Sequence, residues 1–393
     1  MKKFVKMSLI AAIAVAGTTA SAQPLTEAIK NVDVSGTMVY RYNDYGDDKQ
    51  QAGTGHSDTN NYYKIGVSLK SKVNDDVTAN TRFVMGKDGN TGDKATLDTQ
   101  AIGDQNVNVE LTNANFAYTG IANTTVIVGK QGLTTPWTVA VDAAGNEQTG
   151  TGILALTTVG PVTIAGAYFN QTNVGESGNA ASTLTALTYG NSAAIGSRDV
   201  YTIGVMGKVG PVALDAWYID MEDTFDSYTL GANASFDFDA VTLGGDIRYT
   251  SLDLEKHDLD NNLLKLTLTA KAGIFDAKVA YATTDDEGGV VALDADAATQ
   301  ISAWTVDANN KADADYWQVR LGFQVLPSLN ISANYADVDY AGNIEEEEYY
   351  AQFNYSMSKN LSAYLRYGQY TKDTGSTENN DSTRGRIHVQ YKF

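Results

Sequence analysis

The 393-residue chain has no cysteine, only five prolines, no apolar run long enough to span a bilayer as a helix, and 28 basic residues against 47 acidic ones. Each shortage excludes something. Without cysteine, an exported chain must hold itself together by backbone pairing and burial, not by disulfides. No stretch of about 20 consecutive apolar residues occurs, which excludes a transmembrane helix. The deficit of bases excludes a nucleic-acid partner, because phosphates need a basic patch to neutralise them. The three histidines, His56, His257 and His388, show no metal-ligand spacing. No Ser/His/Asp arrangement is visible either, although such triads need not be local in sequence. What is present is glycine (36) and tyrosine (23), with mean hydropathy on the polar side of zero. A large soluble core would be richer in Leu and Ile. A barrel with lipid outside and water inside averages to this composition.

The first residues form an export signal. Lys2, Lys3 and Lys6 make a positive region, Leu9 to Ala16 a short apolar one, and Ala20-Ser21-Ala22 a cleavage site, placing residues 1–22 in the signal and the barrel domain in 23–393. Cleavage removes three bases and no acid, so the mature charge is 25 − 47 = −22.

The last residues alternate without a break. Gly385, Ile387, Val389, Tyr391 and Phe393 share one face; Arg384, Arg386, His388, Gln390 and Lys392 share the other. Period 2 is a strand with one apolar and one wet side. Val389, Tyr391 and the terminal Phe393 form the signal that barrel assembly machinery reads. The rhythm repeats along the chain, in strands of about nine to twelve residues. Tight turns are expected at Asn74–Asp76, Gly120–Asn123, Gly160-Pro161, Gly210-Pro211, Asp237–Asp239, Gly273, Pro327-Ser328 and Lys359-Asn360. Longer loops are expected near 43–59, 87–105, 131–152, 171–199, 220–226, 252–262, 285–313, 340–345 and 372–382. Eight turns and nine loops join 18 strands of an all-β transmembrane antiparallel barrel, with short periplasmic turns and long external loops. Strand boundaries read from pattern slip by a few residues, which leaves 16 strands as the alternative.

The outward rows Trp317, Val319, Leu321 and Phe323, and Tyr349, Ala351, Phe353 and Tyr355, carry no charge. An Arg or Lys facing lipid at mid-membrane costs roughly 2–4 kcal/mol. The bases fall on the opposite phase: Arg41, Arg82, Arg248, Arg320, Arg366, Arg384, Arg386 and Lys64, with Lys265, Lys271 and Lys278, are expected to line the pore. The third external loop, holding Trp137, Asp142 and Glu147, is the candidate constriction, facing acids to the basic wall across the lumen. Those two acids oppose the wall, so selectivity is expected to be weak and cationic. No cofactor is expected. The Asp-x-Asp pairs at Asp258, Asp294, Asp313 and Asp337 lack the glycine and closing Glu of a calcium loop, leaving only a low-affinity Ca2+ site open. Glu345–Glu348 would mark a strand's external end, where cations bridge neighbouring lipid headgroups.

The segment Pro24-Leu25-Thr26-Glu27-Ala28-Ile29-Lys30-Asn31-Val32-Asp33-Val34-Ser35-Gly36, then Tyr40-Arg41-Tyr42, resembles the mature start of the Campylobacter-type major outer membrane porins, as do Gly129-Lys130-Gln131 and the Phe393 end. The resemblance implies an 18-stranded homotrimeric general porin, weakly cation-selective, with its third loop in the lumen. Function is then expected to be passive diffusion of small hydrophilic solutes and ions in a lipopolysaccharide-bearing outer membrane. The alternative from the same features is a barrel-anchored adhesion protein acting through its external loops; an enzyme would need a nucleophile and base that the sequence does not offer.

Overall fold

In a computed structural model, residues 32–47, 57–87, 93–97, 108–177, 192–255, 259–375 and 377–393 are described. The signal segment, most of the N-terminal resemblance motif, His56, His257 and Asp258 lie outside them. The strands are β1 (Val32–Asp47), β2 (Ser57–Lys72), β3 (Val77–Gly86), a two-residue β4 (Ala95–Thr96), β5 (Asn108–Ile121), β6 (Thr124–Gly132), β7 (Thr149–Val159), β8 (Val162–Thr172), β9 (Val200–Val209) and β10 (Val212–Met221). They continue as β11 (Phe225–Phe238), β12 (Val241–Leu254), β13 (Leu259–Ala272), β14 (Phe275–Thr284), β15 (Asp315–Leu326), β16 (Leu329–Tyr340), β17 (Ile344–Ser356), β18 (Leu361–Thr374) and β19 (Thr377–Lys392). β4 belongs to the second external loop and pairs only with Tyr62 and Tyr63 of β2. The other 18 pair antiparallel with their neighbours, and β1 pairs with β19, so the sheet closes on itself. Eighteen strands, not sixteen, make the wall.

Closure is fixed by the last residue. The Phe393 amide donates to the Gly36 carbonyl at 3.0 Å, and the Gly36 amide donates to the Phe393 carbonyl at 2.9 Å. Gly36 also makes room for the Phe393 ring, since any side chain there would meet that ring and the Gly66 carbonyl.

Period-2 alternation places the apolar phase outside. Met38, Tyr40, Tyr218 and Trp317 are exposed while their chain neighbours Val39, Arg41, Ile219 and Tyr316 are buried. Aromatic pairs collect at both strand ends: Tyr281–Trp317 (4.7 Å) and Tyr168–Tyr201 (5.1 Å) near the loops, Phe275–Phe323 (5.3 Å) near the turns. These are the interfacial girdles of a membrane barrel.

The eight periplasmic turns are where the sequence places them. Gly160, Gly210, Gly273, Asn123 and Asp239 take the positive φ that tight turns demand. The external side differs. Strands run past the expected boundaries, so the connection expected at 372–382 shrinks to a hairpin around Gly375, and that at 340–345 to residues 341–343. Backbone ladders extend through polar residues as readily as apolar ones, and composition therefore hides the true strand ends.

The interior also differs from a uniformly wet wall. Toward the loops, the inward phase of β9 to β13 turns apolar at Val200, Ile219, Met221, Leu252, Leu254 and Leu263. These residues are buried because two external loops fold into the lumen and pack on them. The hydrophobic core of this protein lies inside its barrel.

Candidate pore constriction

The third loop leaves β6 after Gly132 and rejoins the wall at Thr149. Its neck is tied by the Leu133 amide donating to the Gln148 carbonyl at 2.8 Å. Trp137 is fully buried against Leu133, Phe169, Ile219, Met221, Phe225 and Leu252, and its Nε1 donates to Ser227 Oγ at 2.8 Å. Full burial of an indole is stable here because its one donor is satisfied.

Asp142 shapes the loop's tip. Its Oδ1 accepts from the amides of Gly145 and Asn146, the latter at 2.7 Å, and its Oδ2 accepts from Asn146 Nδ2 at 2.6 Å. Gly145 supplies the left-handed φ of 104° that this turn requires. Burial raises the Asp142 carboxyl above its usual range, tempered by these hydrogen bonds.

Glu147 is clamped to the wall. It accepts from Lys64 Nζ at 2.6 Å, from Arg82 Nη2 at 2.7 Å and from Arg82 Nε at 3.0 Å, at 1% exposure. Burial pushes its carboxyl up, but the Arg82 hydrogen bonds and the Lys64 charge hold it below the usual range. Its charge is therefore spent on two cations. The basic wall also grips the loop by its carbonyls: Lys64 Nζ donates to Gly145 O at 2.6 Å and Arg41 Nη2 to Ala143 O at 2.8 Å. A further cation from the second loop, Lys94, is buried nearby; desolvation and the Arg41 charge pull its ammonium down to about 7.

The seventh loop (285–314) packs against the third inside the barrel, and the sequence reading gave it no such role. The Leu293 amide donates to Trp137 O at 2.9 Å, the Thr299 amide to Pro136 O at 3.0 Å, and Gln148 Nε2 to Leu293 O at 2.7 Å. Asp296 Oδ2 accepts from the Ala143 amide at 2.6 Å. Its apolar residues Val291, Ile301, Val306 and Ala308 pack on Leu263, Ala282, Tyr316 and Val338 of the wall. The far tip is held by Glu348, which accepts from the amides of Trp304 (2.6 Å), Thr305 (3.0 Å) and Val306 (3.3 Å). The legible signal was Val290-Val291-Ala292-Leu293, four apolar residues in a row inside a polar loop.

Against the tip of the seventh loop stands the arginine wall. The Arg366 guanidinium lies 5.0 Å from the centroids of both Trp304 and Tyr350; Arg386 lies 5.4 Å from Trp304, and Arg384 4.0 Å from Tyr370. Arg386 Nε also donates to Asn43 Oδ1 at 2.8 Å, and Arg384 donates to Thr305 Oγ1. Not every inward base reaches the constriction. Arg248 forms a bidentate pair with Asp215 (2.8 and 2.9 Å), and Arg320 pairs with Asp276. Lys278 donates to Gln318 and Lys271 lies exposed toward the turns, whereas Lys265 does reach the seventh loop, donating to the Gln300 carbonyl at 3.0 Å.

Three carboxylates converge at the loop–loop junction. Oxygens of Asp142, Asp294 and Asp296 lie within 4.8 Å of one another. Asp294 is 1% exposed and its Oδ2 has no partner among the described residues. Burial, with the Asp142 charge beside it, pushes its carboxyl up to about 7. An all-oxygen set of this kind suits a hard divalent cation. Asp337, Glu345 and Glu347 form a second such group, on the outward face at the external ends of β16 and β17.

The same architecture occurs in known proteins. Pseudomonas aeruginosa OccK2 (OpdF), solved in complex with glucuronate, superposes with a TM-score of 0.71 at 14% identity, over 93% of this chain and 98% of that one. Pseudomonas aeruginosa OpdL gives 0.73 at 15%, over 93% and 99%. Acinetobacter baumannii OccAB3 gives 0.72 at 14%, over 93% and 100%. At these identities the likeness speaks to the fold alone. No curated protein sequence matches the chain. The family model of the Campylobacter major outer membrane protein, however, matches residues 1–393, so this outer-membrane barrel belongs to the Campylobacter major outer membrane protein family.

Proposed function

We propose that the protein is a general diffusion porin, weakly selective for small cations, whose eyelet is the passage left beside the contacts between the joined third and seventh loops and the arginine wall. One observation carries this reading: Asp142, Asp294 and Asp296 stand on the loop side, while Arg41, Arg366, Arg384 and Arg386 stand on the wall side. Opposed charges across a narrow aqueous gap create a transverse field that orients polar solutes without holding them. Because Glu147 is neutralised by Lys64 and Arg82, the sign of selectivity rests on the three aspartates against the arginines, and the two nearly balance. Mouth acids more than about 8–10 Å away contribute little at physiological salt. The three aspartates are also the place for a low-affinity Ca2+ ion, which would cancel most of the local negative charge when bound.

The working unit is a homotrimer in the outer membrane, inserted by the barrel assembly machinery after loss of residues 1–22. An apolar recess of about 660 Å3 on the outward face, between Val162, Val205, Leu214, Ala216, Leu230 and Ile247, supports a subunit contact there. The acids Asp337, Glu345 and Glu347 would meet lipopolysaccharide through bridging cations. Purified protein in a planar bilayer should show stepwise ohmic conductance and a small cation-directed reversal potential in a KCl gradient. A barrel that inserts without conducting would remove the porin reading.

A further inference from the structure

Beneath the third loop lies a cavity of about 670 Å3 that shares Arg41 and Asp142 with the eyelet and extends from it toward the strand turns. It sits between the loop's underside (residues 141–145) and the periplasmic halves of β1, β18 and β19, on the turn side of the eyelet. Its charge is unbalanced. Arg41, Lys64, Arg82, Lys94 and Lys392 line it, against the single carboxylate of Asp142. Asp142 turns both oxygens to its own loop, and Glu147, on the same loop but outside the cavity lining, neutralises one of the Lys64–Arg82 pair. The cavity therefore carries a surplus of more than one positive charge.

Its donors are fixed in place. Arg41 is 3% exposed and pinned by two bonds, Nη2 to Ala143 O at 2.8 Å and Nε to His388 Nδ1 at 3.2 Å. Because His388 Nδ1 accepts, the ring's proton is on Nε2, which leaves a second donor on the cavity wall. The His388 ring is locked against Tyr364 with centroids 4.9 Å apart and planes 11° from parallel. A buried guanidinium held in one orientation beside a fixed N–H matches the planar, two-oxygen face of a carboxylate. The volume suits a small organic acid.

We infer that this cavity is a binding site for small organic carboxylates, di-anions above all, entered from the periplasmic side of the eyelet. The inference rests on the porin reading, since the site is reached only through a water-filled lumen. A pore that passes salt with weak cation preference then also carries a resting place for organic anions.

The test uses full-length protein in a planar bilayer, with potassium succinate as probe. Added on the side of the strand turns, succinate should interrupt the current in a concentration-dependent way, and more strongly than from the loop side. Arg41→Gln should raise the half-blocking concentration about tenfold or more, the effect of losing a charge-assisted pair. Arg41→Lys, which keeps the charge but loses the fork, should fall close to Arg41→Gln. Sulfate, a di-anion without the planar carboxylate, should block several-fold more weakly than succinate. If Arg41→Gln does not fold, Lys392→Gln at the exposed mouth of the cavity should still raise the half-blocking concentration several-fold. Absence of block at succinate concentrations matching the supporting salt overturns the site. Equal block by sulfate, or wild-type block in Arg41→Lys, overturns the carboxylate assignment. Failure of the wild type to conduct at all would instead sink the porin reading.

Discussion

Replacing Glu147 with Gln isolates the charge balance of the eyelet. The carboxylate accepts three hydrogen bonds from Lys64 and Arg82 and is nearly inaccessible to solvent. Removing one partner of a buried ion pair commonly costs about 3–5 kcal/mol. Here the loss is smaller, because the amide still accepts one bond and Lys64 keeps its bond to Gly145 O. Trp137 and Asp142 also hold the loop independently. The main consequence is electrical, since two cations then stand unneutralised beside the pathway. A unit charge about 8 Å from a water-filled axis acts with about 0.5 kcal/mol. That is a factor of about 2.4 on each ion, and about 6 on the cation-to-anion ratio. A weakly cation-selective pore altered that much becomes anion-selective, so the reversal potential in a KCl gradient should change sign. The measurement belongs at about 0.01 M salt, where screening extends to about 30 Å. Glu147→Gln with Arg82→Gln restores the net charge and should restore the sign. A normally folded single mutant whose reversal potential does not move would refute the assignment of the third loop to the controlling section.

Lowering pH from 8 to 6 should reduce cation preference, because Asp294, raised to about 7, then takes up its proton; Asp294→Asn should flatten the profile. The sign for stability is the opposite of a salt-bridged acid: with a folded value above the ordinary one of about 3.9, packing of the seventh loop weakens as pH rises from about 4 to about 7 and is constant above, which hydrogen exchange of that loop would register. Phe393→Asp and Gly36→Val should both lower the folded, heat-modifiable form, since Gly36→Val drives a side chain into the Phe393 ring and the Gly66 carbonyl, and Phe393→Asp replaces that ring with a charge at the end of the closing strand; normal folded yield of both would show that closure does not depend on this contact. Leu321→Arg, on the exposed outward face, should cost about 2–4 kcal/mol of barrel stability in lipid if it lies near the bilayer midplane, measured by urea unfolding in vesicles.

The wall was legible because lipid imposes a strict period. Rows such as Trp317, Val319, Leu321 and Phe323 leave no other assignment, and turns announce themselves through Gly160, Gly210 and Gly273. The external ends were less legible, since Asp373 and Glu378 lie in a ladder yet read as loop. Trp137, Asp142 and Glu147 are all brought into the lumen, but their partners were not readable: that Glu147 meets Lys64 and Arg82, or Asp142 meets Asp294 and Asp296, depends on contacts 65 to more than 150 residues apart. The seventh loop left one local trace, its apolar run at 290–293. A second trace lay in the wall, where Ile219, Met221, Leu252 and Leu254 put apolar groups on a phase that should face water. Such residues need a cover, and the only nearby chain able to supply it is an infolded loop.

The wall and the loops are held by different forces. The cylinder is a continuous ladder of main-chain bonds, indifferent to side-chain identity so long as the outward phase stays apolar. The aperture of the proposed porin is framed by two segments that grip each other through Trp137, Gln148 and Leu293. Filter and cylinder can therefore diverge separately. A lineage under changing pressure from toxins or nutrients can re-bore its channel by exchanging residues in 133–148 and 285–314 while the membrane-inserted part stays as it is. Solved barrels at 14% identity superpose over nearly their whole length, as a wall held by main-chain bonds allows.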